Sequence, residues 1–451
     1  MHLQKTRRRR GLLLTPQGLK KLQTAKSKAE IGENSGNRYT LEALNERTGL
    51  SVDTLMKIFA CELGVDKQTL KYCFQAFNLV LEQSDYGFPE SQQQDEVLGT
   101  NLPVVETAPE IPEGQVPLDS AFYLERPPIE IDCYKAILQP GALIRIKAPR
   151  RMGKTSLMSR ILQSATKDGY RTVYLSFQLA DKAIFQDLNK FLRWFCASIS
   201  LGLQVQNQLT DYWDELFGSK ISSKIYFEQY LLAKITSPIV LGLDDVDMLF
   251  QYPDLADDFF GLLRAWHEEA KNREIWKKLR LVVAHATEVY IPLNVNKSPF
   301  NVGFPVELKS LNREQVKALA ERYGLNCSQP ALEQLLALVS GQPYLVRLAF
   351  YYLWQQGVTL EQFLSTALSA NGIYREHLQQ QLWNLQQNPD LMAAFAEIVK
   401  AAKPVELPLE QAFKLQSMGL VHLSGNQATS SCQLYAKYFG RFLSNQQALT
   451  I

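Results

Sequence analysis

The sequence Ala148-Pro-Arg-Arg-Met-Gly-Lys-Thr-Ser156 follows an apolar run, residues 142–146, and precedes apolar residues at helical spacing from Leu157. A strand, a loop that ends in Gly-Lys-Thr and a helix together form a phosphate-binding P-loop. In such a loop, successive backbone N–H groups point at a phosphate, and the N-terminus of the helix adds positive charge. The stretch therefore predicts the α/β core of a P-loop NTPase, although Ala148 stands where the usual motif begins with glycine.

Most positions of the predicted loop have a role in this scheme. Lys154 would bring its ammonium group to the β- and γ-phosphates of ATP, and the Thr155 hydroxyl would bind Mg²⁺. Arg150 and Arg151 lie inside the phosphate cradle, where one adds positive charge and the other faces a surface acid. The predicted nucleotide-binding residues of the loop are Pro149, Arg150, Arg151, Met152, Gly153, Lys154, Thr155 and Ser156.

A second apolar run, residues 239–243, ends in Asp244-Asp245-Val246-Asp247. An apolar strand followed by paired acids is the Walker B arrangement, in which the first acid orients the Mg²⁺ shell and the second positions the attacking water. Asp244 is therefore a predicted Mg²⁺ ligand, and Asp245 joins Lys154 as a predicted catalytic residue. A solvated acidic loop after a strand is the alternative interpretation.

A further strand pattern, residues 280–285, also ends in polar residues. In NTPases of this type the neighbouring strand carries a residue that senses the γ-phosphate. Thr287, or His285, is the predicted sensor, and Thr287 completes the predicted catalytic set. The alternative is a polar strand end that contacts only water.

The composition is that of an ordinary globular protein without a bulk charge that would bind polyanions. The 451 residues are 46% hydrophobic and carry a formal net charge of +2. This length suggests about three domains. The six cysteines form no Cys-x-x-Cys pair, which indicates reduced thiols. No apolar run approaches the ~18 residues of a membrane span, so a cytoplasmic protein without membrane contact is expected.

Charge and hydropathy divide the chain into five segments. Residues 1–40 hold ten Lys and Arg against two acids, whereas residues 89–116 hold six acids and no base, which suits a flexible linker. The predicted order is a helical domain in 1–88, the acidic linker in 89–116, an α/β core in 117–311, a set of helices in 312–385, and helices with a short hairpin in 386–451. The core is expected to be a parallel sheet with helices on both faces, built on strands at 143–147, 172–177, 239–243 and 279–285.

The N-terminal segment contains a helix-turn-helix pattern. Residues 39–47 are amphipathic, Thr48-Gly49-Leu50 makes a turn, and Ser51 caps a second helix. One interpretation is DNA binding, with the arginines 7–10 and lysines 20–21 on phosphates. The other is a protein adaptor on the same plan, which is favoured because residues 41–88 hold seven acids against four bases.

Five motifs in order resemble the AAA-like domain family, a branch of the STAND signalling ATPases, over residues 117–445. They are Phe122-Tyr-Leu-Glu-Arg126, the P-loop, Asp244-Asp-Val-Asp247, Ser298-Pro-Phe-Asn-Val-Gly303 and Gly341-Gln-Pro-Tyr-Leu345. The Ala-Pro start of this P-loop is typical of that family. The family usually has Glu as the second Walker B acid, where this chain has Asp245.

The resemblance implies a switch rather than a metabolic enzyme. ADP would hold it closed, ATP would open it, and slow hydrolysis would reset it. Gly341-Gln342-Pro343 would be the lid motif with Pro343 against the nucleotide, and Tyr123 and Arg126 would line the base pocket. Residues 386–451 would form a winged helix that clamps the closed form. A nucleotide-dependent homo-oligomer is a further expectation.

Residues 7–86 resemble the N-terminal helix-turn-helix domain of the vWA-MoxR associated protein group. Arg7-Arg-Arg-Arg-Gly-Leu-Leu-Leu-Thr-Pro16, Tyr39-Thr-Leu-Glu42 and Val65-Asp-Lys-Gln-Thr-Leu70 carry this likeness. It implies an adaptor that recruits a partner protein. Two rival functions stay open at this point, namely an ATP-gated transcription regulator that binds DNA and a scaffold that binds nucleotide without hydrolysing it.

Overall fold

A computed structural model describes residues 12–33, 39–60, 65–82, 85–87, 109–286, 299–367, 372–401 and 403–448. Thr287, Ser298 and the arginines 7–10 lie outside these ranges. The internal contacts divide the chain into two compact units, Met1–Leu102 and Pro103–Ile451.

The N-terminal unit is a small helical bundle whose two ends meet in a short antiparallel ladder, with Leu13 opposite Gly87. Its buried side chains include Leu22, Leu55 and Phe74. The predicted helices of this segment are present. Its elements are β1 (Leu13–Leu14), α1 (Pro16–Glu33), α2 (Leu41–Thr48), α3 (Val52–Ala60), α4 (Lys67–Gln75) and β2 (Tyr86–Gly87).

The joint between α2 and α3 is a tight turn made by a glycine. Gly49 has a φ of 70°, in the left-handed region that glycine adopts without steric cost, and its N–H donates to the Asn45 carbonyl at 2.8 Å. The Asn45 side chain in turn donates to the Leu50 carbonyl at 2.8 Å. The turn therefore takes three residues, and α3 starts at Val52.

The core of the second unit is a five-stranded sheet in the order β4-β5-β6-β3-β7, with every neighbouring pair parallel. The four predicted strands are confirmed, and the fifth, β7, extends the sheet beyond the P-loop strand. The strands are β3 (Leu143–Lys147), β4 (Arg171–Ser176), β5 (Ile239–Asp244), β6 (Leu279–His285) and β7 (Phe304–Glu307).

Helices cover both faces of this sheet, as predicted for buried parallel strands. Val240 and Leu241 are neighbours on β5, yet they belong to two different hydrophobic clusters, one with Met158 and the other with Phe259. A π-helical turn, Tyr226–Leu231, joins α9 to α10. The helices are α5 (Ile129–Leu138), α6 (Lys154–Lys167), α7 (Leu188–Gly202), α8 (Leu209–Tyr212), α9 (Gly218–Ile225), α10 (Leu232–Lys234) and α11 (Pro253–Asn272).

Five further helices follow the sheet and correspond to the set predicted in residues 312–385. Side-chain caps begin several of them; the Gln342 side chain, for example, accepts the Leu345 N–H at 2.7 Å and starts α14. They are α12 (Arg313–Arg322), α13 (Gln329–Val339), α14 (Pro343–Gln356), α15 (Leu360–Thr366) and α16 (Arg375–Gln386).

The last region combines helices with a three-stranded antiparallel sheet in the order β8-β10-β9. The predicted hairpin is present, with Leu423 opposite Ala428. One hydrophobic cluster runs through the five preceding helices and this region, since Phe350 and Phe439 both belong to it. The elements are α17 (Pro389–Lys400), β8 (Val405–Glu406), α18 (Leu409–Ser417), β9 (Val421–Ser424), β10 (Gln427–Ser430) and α19 (Gln433–Ala448).

Among the residues that the structure describes, no helix combines the length and the apolar character that crossing a membrane requires.

Candidate functional site

The P-loop lies between the end of β3 and the start of α6, as the sequence predicts. Gly153 has a φ of 96° and Arg151 a φ of 64°, so the chain winds tightly before α6 begins at Lys154. A Cβ atom at Gly153 would lie 3.1 Å from the Arg126 guanidinium, which makes glycine the residue that fits. The loop backbone therefore approaches its neighbours closely at the N-terminus of α6.

The Lys154 ammonium group folds back over the loop. It donates to the carbonyl oxygens of Ala148 at 2.9 Å and Pro149 at 3.1 Å. Burial lowers the pKa of Lys154, and the nearby carboxylates of the Walker B segment act in the opposite direction. A phosphate in the loop can replace the two carbonyl oxygens as the partner of this ammonium.

Asp244 is the last residue of β5 and is almost fully buried. Its Oδ2 atom accepts the Thr155 hydroxyl at 2.6 Å and the Tyr174 hydroxyl at 3.1 Å, and its Oδ1 atom accepts the Asp245 N–H at 3.0 Å. Burial raises the pKa of Asp244, and the Thr155 hydrogen bond acts against it. The two predicted metal ligands, Thr155 and Asp244, are thus in direct contact.

This oxygen pair fits Mg²⁺. Proteins bind Mg²⁺ through one or two carboxylates, together with phosphate oxygens and water, and rarely through a closed cage of side chains. A buried carboxylate beside the P-loop hydroxyl supplies that donor set. A buried carboxylate such as that of Asp244 is also unfavourable unless hydrogen-bond donors or a cation compensate its charge, and Mg²⁺ would do so.

Asp245 follows β5 in a left-handed conformation, with a φ of 57°. Its Oδ2 atom accepts the Ser176 hydroxyl at 2.9 Å and the Gln178 amide at 3.0 Å. Ser176 ends β4, which lies on the opposite side of β5 from β6 and the P-loop strand. The Asp245 carboxylate is therefore held toward β4, whereas the P-loop strand β3 lies on the other side of β5 in the sheet.

The third acid of the segment anchors the end of β6. The Asp247 carboxylate accepts the Ala286 N–H at 3.0 Å. His285 is buried with its ring against Phe300, at a centroid distance of 4.9 Å. Thr287, the predicted sensor and third catalytic residue, lies outside the described residues.

Tyr123 and Arg126 brace the P-loop from the segment before α5. The Tyr123 hydroxyl and the Arg126 N–H both donate to the Glu130 carboxylate, each at 2.8 Å. The Arg126 guanidinium donates to the Met152 carbonyl at 3.0 Å, and the Arg160 guanidinium stacks 3.5 Å above the Tyr123 ring. Both predicted base-pocket residues are buried, with the Tyr123 hydroxyl on Glu130 and one guanidinium nitrogen of Arg126 on Met152.

A cavity of about 410 Å³ adjoins the P-loop at the start of α6. It brings the loop together with Pro343 of the Gly-Gln-Pro motif. Its lining residues are Pro112, Glu113, Gly114, Val116, Arg151, Gly153, Ser156, Pro343, Tyr344 and Arg347.

One wall of this cavity comes from residues 109–118, at the end of the segment predicted as a linker. The Val116 N–H donates to the Ser156 hydroxyl at 2.9 Å, and the Arg347 guanidinium pairs with Glu110 at 2.9 Å. Sequence reasoning missed these contacts because the acids of this segment resemble those of a solvated linker. A backbone N–H leaves no mark in the sequence.

The P-loop also contacts the C-terminal region of the same unit. The Arg150 N–H donates to the Ser417 carbonyl at 2.9 Å. The Arg151 guanidinium bonds to the His377 ring nitrogen Nδ1 and donates to Gln380 at 3.0 Å, and it lies 4.3 Å above the Tyr344 ring. Two loop residues predicted to bind nucleotide therefore hold α16 and α18.

Residues 111–441 match the AAA-like domain family. A Walker-type ATPase of Pyrococcus abyssi has a similar fold, with a TM-score of 0.50 and 12% identity over 70% of this chain and 96% of that chain. The ORC2 protein of Aeropyrum pernix, solved as ADPNP-ADP complexes, gives a TM-score of 0.41 and 14% identity over 71% of this chain and 94% of that chain. Curated protein sequences gave no match.

At 12% identity the Pyrococcus abyssi structure shows a shared fold alone. The family match is broader, because residues 111–441 cover most of the chain and include the P-loop, the Walker B acids and the Gly-Gln-Pro motif. The chain therefore belongs to the AAA-like domain family, and these residues form a nucleotide-binding P-loop ATPase domain.

Proposed function

We propose that the protein is an ATP-operated signalling switch of the STAND type, which hydrolyses ATP slowly and recruits a partner protein through its N-terminal unit. The observation that carries this proposal is the hydrogen bond from the Arg150 N–H to the Ser417 carbonyl. It joins the phosphate-binding loop to α18 of the C-terminal region, so that a nucleotide in the loop would act on that region.

The hydrogen bond supplies a physical link between nucleotide and conformation. P-loops bind phosphates with their backbone N–H groups. A phosphate oxygen that takes the Arg150 N–H must displace the Ser417 carbonyl. In the closed form the Arg150–Ser417 hydrogen bond is present, and in the released form it is broken. A nucleotide whose phosphate binds the Arg150 N–H therefore favours the released form, and a nucleotide that does not bind it favours the closed form. A ligand shifts such an equilibrium only by its difference in affinity for the two forms.

Arg151 provides the second link between the loop and the C-terminal region. Its guanidinium contacts His377 and Gln380 on α16 and stacks on Tyr344, next to Pro343. The His377 ring nitrogen Nε2 lies 2.8 Å from the Tyr435 hydroxyl on α19. This chain of contacts supports a role for Arg151 in holding the closed form, beside its predicted place in the nucleotide site.

Slow hydrolysis agrees with the position of Asp245. Activation of a water at the γ-phosphate requires a carboxylate aimed at the P-loop side of β5. The Asp245 carboxylate is bonded to Ser176 and Gln178 on the other side, and Asp is one methylene shorter than the Glu usual in the family. Turnover would then require that both hydrogen bonds break, which would make hydrolysis slow. Slow hydrolysis suits a step that resets a switch.

In the nucleotide-bound form Thr155 and Asp244 would hold Mg²⁺, which neutralises charge on the β- and γ-phosphates. Lys154 would leave the Ala148 and Pro149 carbonyls for the phosphates. Thr287 stays the proposed γ-phosphate sensor. Tyr123 and Arg126 would act on the base pocket by fixing the loop segment at Met152.

The C-terminal region has the element order helix, strand, helix, hairpin, helix. This order supports the proposal that residues 386–451 form a winged helix. Its α18 ends at Ser417, the residue that accepts the Arg150 N–H. The clamp on the P-loop would thus be a property of the winged helix.

The exposed face of α3 favours a protein partner over DNA. Val52 is 37% exposed and Met56 is 52% exposed, four residues apart on one helix face. Base edges are read by hydrogen-bonding side chains, whereas Met suits adaptable apolar contacts. The rival function is a DNA-binding regulator gated by ATP, and it predicts salt-dependent and sequence-selective binding to duplex DNA. If no DNA binding is detected at low salt, this rival function is excluded.

Two measurements on the full chain test the proposal. Phosphate release should be slow with the parent and lost in Lys154→Ala and Asp245→Asn, while Lys167→Ala, at the exposed end of α6, should match the parent. Light scattering should show a change of mass or shape when Mg²⁺-ADP is replaced by Mg²⁺-ATP. An increase in mass would indicate that a homo-oligomer forms. Rapid turnover with no nucleotide-dependent change would indicate an ordinary ATPase, and binding without any turnover would indicate a scaffold.

A further inference from the structure

Tyr174, a residue of β4, touches the site although no motif includes it. Its hydroxyl donates to Asp244 Oδ2 at 3.1 Å, the same oxygen that accepts the Thr155 hydroxyl at 2.6 Å. The other oxygen of Asp244 accepts the Asp245 N–H at 3.0 Å. Three donors from three chain segments therefore fix this one carboxylate.

The sheet register explains why a residue of β4 reaches this carboxylate. Tyr174 pairs with Gly242, and Ser176 pairs with Asp244. Paired residues of parallel strands project on the same face, and so do residues two apart on one strand. Tyr174, Gly242 and Asp244 consequently share one face of the sheet.

Helix α6 covers that same face. A Cβ atom at Gly242 would lie 2.9 Å from Leu162 and 3.0 Å from Met158, both on α6. The glycine lets α6 approach β5 closely, which places the Thr155 hydroxyl on Asp244. Tyr174 lies on β4 beside Gly242, and its hydroxyl contacts the same Asp244 oxygen from that side.

We propose that Tyr174 is a positioning residue for the metal site. Its hydroxyl keeps Asp244 Oδ2 oriented when the Thr155 hydroxyl turns a lone pair toward the arriving Mg²⁺. A carboxylate can accept several hydrogen bonds at once, so the Tyr174 bond persists while the metal site forms. This inference rests on the proposed assignment of Thr155 and Asp244 to Mg²⁺.

The test uses Tyr174→Phe in the full chain, which removes the hydroxyl and keeps the ring. ADP binding is measured by calorimetry over a series of Mg²⁺ concentrations and in EDTA. The Mg²⁺ concentration that half-restores tight ADP binding should rise by about tenfold, the factor expected for one hydrogen bond to a charged group. ADP affinity in EDTA should stay within about twofold of the parent.

Tyr170→Phe is the matched control, because Tyr170 precedes β4 and its ring lies 4.7 Å from the Arg280 guanidinium, away from the acids. It should leave both measurements unchanged. An unchanged Mg²⁺ dependence in Tyr174→Phe would overturn the inference. An equal loss of affinity with Mg²⁺ and in EDTA would also overturn it, since that result indicates an effect on packing.

Asp244→Asn separates this inference from the proposed metal site. If Asp244→Asn keeps the Mg²⁺ dependence of the parent, the assignment of Asp244 to the metal is wrong, and the role of Tyr174 falls with it. If Asp244→Asn loses the dependence and Tyr174→Phe retains it, only the role of Tyr174 is wrong.

Discussion

The backbone N–H of Arg150 donates to the carbonyl oxygen of Ser417 at 2.9 Å. This single bond connects the middle of the phosphate-binding loop to the last residue of α18. Its donor belongs to the group that P-loops use for phosphates, so the bond and a phosphate contact at the same N–H exclude each other. The proposed coupling between nucleotide and the C-terminal region rests on that competition.

Arg151→Ala should loosen the closed form. The variant loses the contacts to His377, Gln380 and Tyr344 and leaves the loop backbone intact. We expect ADP to dissociate several-fold faster, because partly buried contacts of this kind contribute about 1–2 kcal/mol. Stopped-flow release of a fluorescent ADP measures the rate. Lys414→Ala, which removes an exposed pair with Glu410 on α18, is the control, and equal rates in both variants would contradict this role.

Gln178→Ala should speed the reset step. The substitution removes one of the two donors that hold the Asp245 carboxylate toward β4. We expect phosphate release to rise by about two- to fivefold with unchanged ATP affinity, since one neutral hydrogen bond contributes about 0.5–1.5 kcal/mol and a charged acceptor somewhat more. In an Asp245→Asn background the same substitution should have no effect on turnover. A decrease in the single variant would show that Gln178 assists the reaction.

His377 should make the stability of the domain sensitive to acid. Burial, followed by the Arg151 charge, lowers the pKa of His377 to about 3, whereas an unfolded histidine has a pKa of about 6.5. Below about pH 6.5 the unfolded chain binds a proton at this histidine, whereas the folded chain does not. The contribution of His377 to the free energy of unfolding is therefore fully present above this pH and is lost as the pH falls toward 3.

The difference is about 1.4 kcal/mol for each pH unit in that window. Between pH 7.5 and pH 5.5 we expect the parent to lose about 1.4 kcal/mol more than His377→Gln in urea unfolding. The comparison cancels the titration of the other groups. Parallel pH profiles of the two proteins would mean that His377 has the same pKa in the folded protein as in the unfolded chain, which contradicts its burial beside Arg151.

Two glycines at the ends of α14 should respond differently to alanine. Gly341 and Gly357 have φ angles of 66° and 64°, so both substitutions carry the cost of a left-handed alanine, about 1–2 kcal/mol. At Gly341 the new Cβ would also lie 2.1 Å from the Leu311 carbonyl oxygen, whereas at Gly357 it meets no atom within 4 Å. Gly341→Ala should therefore destabilise the protein by at least about 2 kcal/mol more than Gly357→Ala. Equal melting temperatures would contradict the close packing of the Gly-Gln-Pro motif.

The sequence predicts the parts of the fold and site that are written in local patterns. Buried parallel strands read as apolar runs, which is why the sequence predicts β3, β5 and β6. The contact between Thr155 and Asp244 follows from two motifs whose geometry is fixed by the fold. By contrast, β7 has only four residues and contains Pro305, so its pattern is too short to stand out.

The partners of the motif residues could not be predicted, because they are set by tertiary packing. Tyr174 and Ser176 reach the acids through the register between β4 and β5, and a register leaves no signal in either strand alone. Ser417 contributes a carbonyl oxygen, which every residue has. His377 is one of five histidines, with nothing local to distinguish it.

The most direct measurement of the central claim is hydrogen exchange of the backbone amides in residues 409–430, compared between Mg²⁺-ADP and Mg²⁺-ATP. The Asp245→Asn variant keeps ATP intact during the experiment. A nucleotide-operated switch predicts that exchange in α18 and the β9–β10 hairpin becomes faster with ATP, because the Arg150–Ser417 bond is released. Identical exchange with the two nucleotides would contradict the switch.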